Sequence, residues 1–144
     1  MYESFYGLSE RPFRMTADPD FLYWSEMHGL AFTMLRYGVT SHAPITVITG
    51  EVGTGKTTLI RALMNELPDD VEVGLVSNMQ EGRGDLIDWV MLALGETVGQ
   101  TSYMETFQRF QERLIDTYAA GRRTLLIFDE AQNMGDASLE ELRM

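Results

Sequence analysis

The stretch GEVGTGKTTLI (residues 50–60) decides how the rest of the chain is read. Gly50, Gly55, Lys56 and Thr57 stand at the spacing of a phosphate-binding loop, and the flanking sequence supplies the context such a loop needs. Before it, Pro44 precedes ITVIT (residues 45–49), a β-branched run that reads as a buried strand. After it, Leu59, Ile60, Leu63, Met64 and Leu67 form a helical stripe that Pro68 stops. Glycines allow a tight wrap with positive φ, so that successive backbone N–H groups can point at phosphate oxygens. The helix that follows adds the positive end of its dipole.

Lys56 is the only lysine among 11 basic residues. Its compact ammonium can thread a closed loop toward β- and γ-phosphates, whereas the wider, planar fork of an arginine cannot do so easily. The expected cradle for a nucleoside triphosphate is Gly50, Glu51, Val52, Gly53, Thr54, Gly55, Lys56, Thr57 and Thr58. Thr57 offers its hydroxyl to Mg²⁺. A dinucleotide fingerprint beginning at Gly53-Thr54-Gly55 is rejected, because position 58, where its third glycine belongs, is Thr58.

Outward from the loop, strands and helices alternate. Ser25 is placed to cap a helix with Met27, Leu30, Ala31, Met34 and Leu35 on its apolar face. VEVGLVS (71–77) reads as a strand, and Asp85 as the cap of a helix carrying Leu86, Ile87, Val90, Met91 and Leu94. A longer helix follows with Tyr103, Phe107, Phe110, Leu114 and Tyr118 along it, ended by Gly121. TLLIF (124–128) is a further strand, and DASLEELRM begins another helix. Apolar strands alternating with helices imply an α/β fold whose parallel sheet is covered on both faces.

TLLIFDEAQ adds two acids, Asp129 and Glu130, where a strand should end, and the carboxyl ends of strands face the ligand crevice in open α/β sheets. Asp129 is expected to hold the magnesium shell through water, and Glu130 to orient and deprotonate the attacking water. The plainer alternative is two acids solvating a strand end; the phosphate loop upstream favours the first. Gln132 and Asn133 either touch the γ-phosphate or the attacking water, or form a turn.

Composition narrows the class of protein. Twenty-two acids against 11 bases leave a formal charge of −11, so this segment is not expected to bind nucleic acid non-specifically. There is no cysteine, and therefore no disulfide, thiolate nucleophile or zinc-thiolate site. The start lacks a secretory leader and no apolar run reaches a membrane span, so a cytoplasmic location is expected. Several tempting features have plainer readings. In Arg83-Gly84-Asp85 the aspartate serves as a helix cap, and Arg122-Arg123 neutralise the end of the long helix rather than act as a finger in trans. His28 and His42 read as surface or packing residues, and the methionines as core filler.

Together MYESFYGLSERPF, DPDFLYWSEMH, TGEVGTGKTTLIRALMNELP and FDEAQNM resemble the AAA+ superfamily of ATPases, and within it the bacterial group typified by general secretion pathway protein A. The resemblance implies a three-layer P-loop sandwich, truncated here after the Walker B strand. The segment 1–44 would precede the core, and 45–144 would form part of the core. It further implies ATP and Mg²⁺ as ligands, homo-oligomerisation of the complete protein, and protein partners in a secretion, export or pilus assembly. Membrane association would come through those partners or a missing C-terminal region. It also places Phe5, Pro12 and Phe13 near the adenine. Relatives that serve transposition or DNA initiation suggest a second reading, a helper ATPase. A third is an interaction module that binds nucleotide with negligible hydrolysis. Two further strands, a sensor residue, a trans-acting arginine and a helical lid are implied but absent from these 144 residues, so a fragment of a longer ATPase is expected. In that fragment the strand at 45–49 would pair with 124–128 on one flank and expose its other edge. Isolated, it would bind nucleotide weakly and turn it over slowly.

Overall fold

The computed structural model describes residues 2–11, 18–79, 82–99 and 101–142, arranged as two compact units, Met1–Leu67 and Pro68–Met144. In the first unit, helix α1 (Tyr2–Tyr6) and a 3₁₀ turn (Pro19–Phe21) lead to helix α2 (Glu26–Thr40) and, after the glycine loop, helix α3 (Lys56–Glu66). Ser25 caps α2 as the sequence suggests, its hydroxyl accepting the His28 N–H at 3.3 Å.

The buried face of α2 is the expected one only in part. Ala31 and Leu35 turn inward as expected, whereas Met27, Leu30 and Met34 are exposed. Phe32 and Val39 complete the inner face, which packs on Leu59, Ala62 and Leu63 of α3, joined by Leu22, Ile48 and Leu67. The helix carries two adjacent apolar stripes, and periodicity cannot choose between them. Phe32, the largest apolar side chain among them, goes inward in a T-shaped pair with Trp24, ring centres 5.1 Å apart.

The helix ends on a Schellman motif with His42 at the left-handed position, φ 56. There the His42 and Ala43 N–H groups reach the Val39 and Gly38 carbonyls.

Residues 45–49 do not form the expected strand, and they pair with no ladder among the described residues. The Thr46 side chain lies against α2 instead: a Cβ on Gly38 would lie 2.2 Å from Thr46 Oγ1 and 3.2 Å from its Cβ, so the glycine leaves room for that side chain.

The second unit is built on a two-stranded parallel sheet, β1 (Val71–Val76) with β2 (Arg123–Phe128), in register from Val71↔Arg123 to Val76↔Phe128. The partner of 124–128 is therefore β1 and not 45–49, which corrects the expected pairing. Crossing between the strands are α4 (Leu86–Ala93) and α5 (Tyr103–Ala119). Val76, Met79, Leu86, Val90, Leu94 and Met134 form the core, with Phe110, Leu126 and Phe128 against it. Strand residues are half-buried, except the buried Gly74 and Val76, rather than apolar and buried throughout.

Asp85 occupies the cap position of α4 without a side-chain bond, and the preceding loop is tied by Trp89 Nε1, which donates to the Arg83 carbonyl at 2.9 Å. Helix α5 opens with a capping box in which Ser102 and Glu105 bond each other's backbone N–H. The Ser102 backbone N–H, then its hydroxyl, hold the Glu105 carboxyl below its usual range. The expected aromatic stripe is only partly inward, since Tyr103 and Tyr118 are exposed. Thr106, Phe110, Arg113 and Thr117 mark the inner face: Arg113 bonds Glu72 at 2.6 Å and also Glu96, and Thr117 donates to Glu72 at 3.2 Å. Gly121 closes α5 in a Schellman motif, its φ of 72 matching the expected cap. Arg123 lies 3.6 Å from Asp70, and helix α6 (Asp136–Glu141) follows β2.

Candidate functional site

The loop predicted to cradle phosphate lies wholly in the first unit. Gly53 and Gly55 take φ of 80 and 85, a region that side chains disfavour, and Gly55 is the residue from which α3 starts. A left-handed glycine at this position turns the chain abruptly into the helix. The N–H groups of the first turn, at Lys56, Thr57 and Thr58, precede the start of the intrahelical ladder. Glu51, Val52, Gly53 and Thr54 form the exposed crown of the loop, and Val52 is 99% exposed.

Three side-chain bonds fix that crown. Thr54 Oγ1 donates to the Glu51 carbonyl at 2.8 Å, and Lys56 Nζ donates to the Gly50 and Glu51 carbonyls at 2.8 and 2.7 Å. The ammonium is thus folded over the loop that precedes it and has one further N–H to offer.

Asp129 and Glu130 lie in the second unit, immediately past the carboxyl end of β2. The Asp129 N–H continues the ladder to the Val76 carbonyl at 2.9 Å, and Asp129 Oδ1 accepts the Glu130 N–H at 3.0 Å. Glu130 itself has φ 58 and ψ 41, a left-handed conformation that is uncommon for a long side chain. Its backbone carbonyl accepts the Asn133 N–H at 2.9 Å, and its Oε2 accepts the Asn133 amide at 3.3 Å. Asn133 closes the 3₁₀ turn Ala131–Asn133, and Gln132 is exposed on it. Backbone strain of this kind is held by surrounding bonds and concentrates where a side chain must be aimed. At the neighbouring strand end, Asn78 adopts φ 60 two residues past β1.

Sequence reasoning missed one residue of this region. His28, read as a surface or packing residue, sits in the first turn of α2 with its ring against the loop: Nε2 is 2.9 Å from the Thr54 carbonyl. The only local signal was Ser25 three residues before it; nothing in the spacing links position 28 to position 54. Phe5 is exposed in α1, while Pro12 and Phe13 lie outside the described residues.

No group of three or more His, Asp or Glu side chains converges among the described residues. Mg²⁺ is commonly held by one or two protein oxygens together with substrate phosphates, and the Thr57 hydroxyl in the first turn of α3 is one oxygen of that kind. No helix among the described residues is long and apolar enough to cross a membrane.

A glycine loop that opens a helix, in one chain with a parallel α/β unit whose strand ends in Asp-Glu, defines a phosphate-loop protein of the α/β class. The family is more specific: the AAA domain family matches residues 39–144, and the chain belongs to it. Over its whole length the chain is similar to General secretion pathway protein A of Aeromonas hydrophila, with 37% identity over 148 aligned residues. It spans only 26% of that protein's length. No solved structure matches significantly. The AAA+ resemblance carried by the motifs therefore holds.

Proposed function

We propose that this chain binds ATP with Mg²⁺ and hydrolyses it as part of a cytoplasmic ATPase that drives or switches assembly of a secretion or export machine. The observation that carries the reading is Lys56 Nζ at 2.8 and 2.7 Å from the Gly50 and Glu51 carbonyls, an ammonium arched over a glycine loop at the start of a helix. Backbone N–H groups of residues 50–58 bind the phosphates, and Lys56 reaches the β- and γ-oxygens. Thr57, by its hydroxyl, and Asp129, through water, would hold Mg²⁺, which when bound would supply neutralisation of charge on the phosphoryl oxygens. Glu130 orients the attacking water and takes its proton; the left-handed turn and the Asn133 amide support that carboxylate. The name of the Aeromonas relative is what directs the reading toward secretion.

Lys56→Ala tests the site. Charge-assisted bonds are each worth about 1.5–3 kcal/mol, so the variant should lose at least about tenfold in Mg-ATP affinity by calorimetric titration. Equal affinity in the two proteins would remove the loop from the reading.

A further inference from the structure

We propose that His28 is a positioning residue for the phosphate loop, fixing the peptide between Thr54 and Gly55 so that the Gly55 N–H faces bound phosphate. The inference rests on the reading of this loop as a triphosphate site.

The ring is held at both nitrogens. Nε2 lies 2.9 Å from the Thr54 carbonyl oxygen, and Nδ1 lies 2.6 Å from Ser25 Oγ. A carbonyl only accepts, so Nε2 carries the proton and donates. Neutral, Nδ1 accepts the Ser25 hydroxyl; protonated, it donates to the same oxygen. The bond to Thr54 survives either state. Ser25 is itself fixed as the cap of α2, with Oγ accepting the His28 N–H at 3.3 Å. The imidazole is therefore a strut from a helix cap to the loop.

The bond matters because of the peptide it holds. There are no cis peptides among the described residues, and a trans peptide points its N–H opposite to its C=O. Drawing the Thr54 carbonyl toward α2 sends the Gly55 N–H to the opposite side. That peptide can rotate at little steric cost, because its rotation changes φ of Gly55, a residue free to adopt either sign. The side chain of Thr54 is already occupied, donating to Glu51 at 2.8 Å, and does nothing to hold its own carbonyl. A side chain on Gly55 would meet His28 Nε2 at 3.4 Å, which places the ring directly against the residue it orients.

The test uses the two amides that imitate the two ring nitrogens. Gln places an N–H near the Nε2 position and can still reach Thr54. Asn places one near Nδ1 and can reach only Ser25. Mg-ATP titrations of wild type, His28→Gln, His28→Asn, His28→Ala and Lys56→Ala should show His28→Gln within about threefold of wild type. His28→Asn and His28→Ala should each be weaker by about tenfold, the size of one lost hydrogen bond. Melting curves without nucleotide check folding, and if His28→Ala does not fold, the Asn and Gln pair decides. Equal affinity in wild type, His28→Gln and His28→Asn, alongside a Lys56→Ala protein that has lost binding, overturns the role of His28 alone. No Mg-ATP binding by wild type overturns the triphosphate reading and this inference with it.

Discussion

Glu130 pairs an unusual backbone with an ordinary side chain. At φ 58 it spends conformational energy, about 1 kcal/mol or more for a residue with a Cβ, to turn the chain out of β2. Asn133 returns two bonds to it, one to the carbonyl and one to the carboxylate. Such support makes the carboxylate's direction, rather than its charge alone, the feature to probe. Glu130→Gln retains size and hydrogen bonding but cannot accept a proton. The variant should bind Mg-ATP as wild type does and release phosphate at least about a hundredfold more slowly, read by titration and by phosphate-release assay. Unchanged turnover would move the base to another residue. The left-handed turn at Glu130 was not legible in the sequence. An Asp-Glu pair after an apolar run announces a strand end, and says nothing of the dihedral that follows. His28 was illegible for a different reason, since its partner lies 26 positions away.

The helices end where local chemistry says they should, with one exception in residue type. Helices α4 and α5 each close on a left-handed glycine, Gly95 at φ 82 and Gly121 at φ 72, while α2 closes on His42 at φ 56. All three make the paired bonds of a Schellman motif. A glycine at position 42 would remove the Cβ penalty, so His42→Gly should stabilise the chain by about 0.5–1 kcal/mol, seen as a raised melting midpoint. A lowered midpoint would mean that contacts of the imidazole outweigh its backbone cost. Caps were readable because they depend on neighbours within one turn. The buried face of α2 was readable only at Ala31 and Leu35, because Met27, Leu30 and Met34 are as apolar as the residues that turn inward.

Charge works at the scale of each unit and of the whole chain. In the second unit Arg113 gathers Glu72, Glu96 and the Leu94 carbonyl, which ties α5 to β1 and to the end of α4. Its Nε is buried without a hydrogen bond, so the guanidinium is bonded through its two terminal nitrogens alone. Arg113→Ala leaves two half-buried carboxylates near one another and should cost about 2–3 kcal/mol in denaturant unfolding. A loss below about 0.5 kcal/mol would mark the cluster as solvent-screened. For the whole chain, a net charge of −11 opposes any polyanion at long range. ATP turnover should be insensitive to duplex DNA at low salt, in a steady-state assay with and without a DNA fragment. Stimulation severalfold would favour a DNA-transaction helper over a secretion ATPase.

The sequence by itself determined the loop, the two acids, the helix caps at Ser25 and Gly121, and membership in a phosphate-loop class. Each is set by residue types within a few positions of one another, where φ preference, capping and hydrogen-bond reach are local properties. Tertiary structure decided what needed a partner distant in sequence. Residues 45–49 have strand-like composition, but a strand exists only through its ladder; here the segment lies against Gly38 of α2, and β2 pairs with β1. The same physics placed His28 on Thr54 and turned Phe32 rather than Met34 inward, since which polar groups meet and which apolar stripe is covered depend on the packing of whole elements.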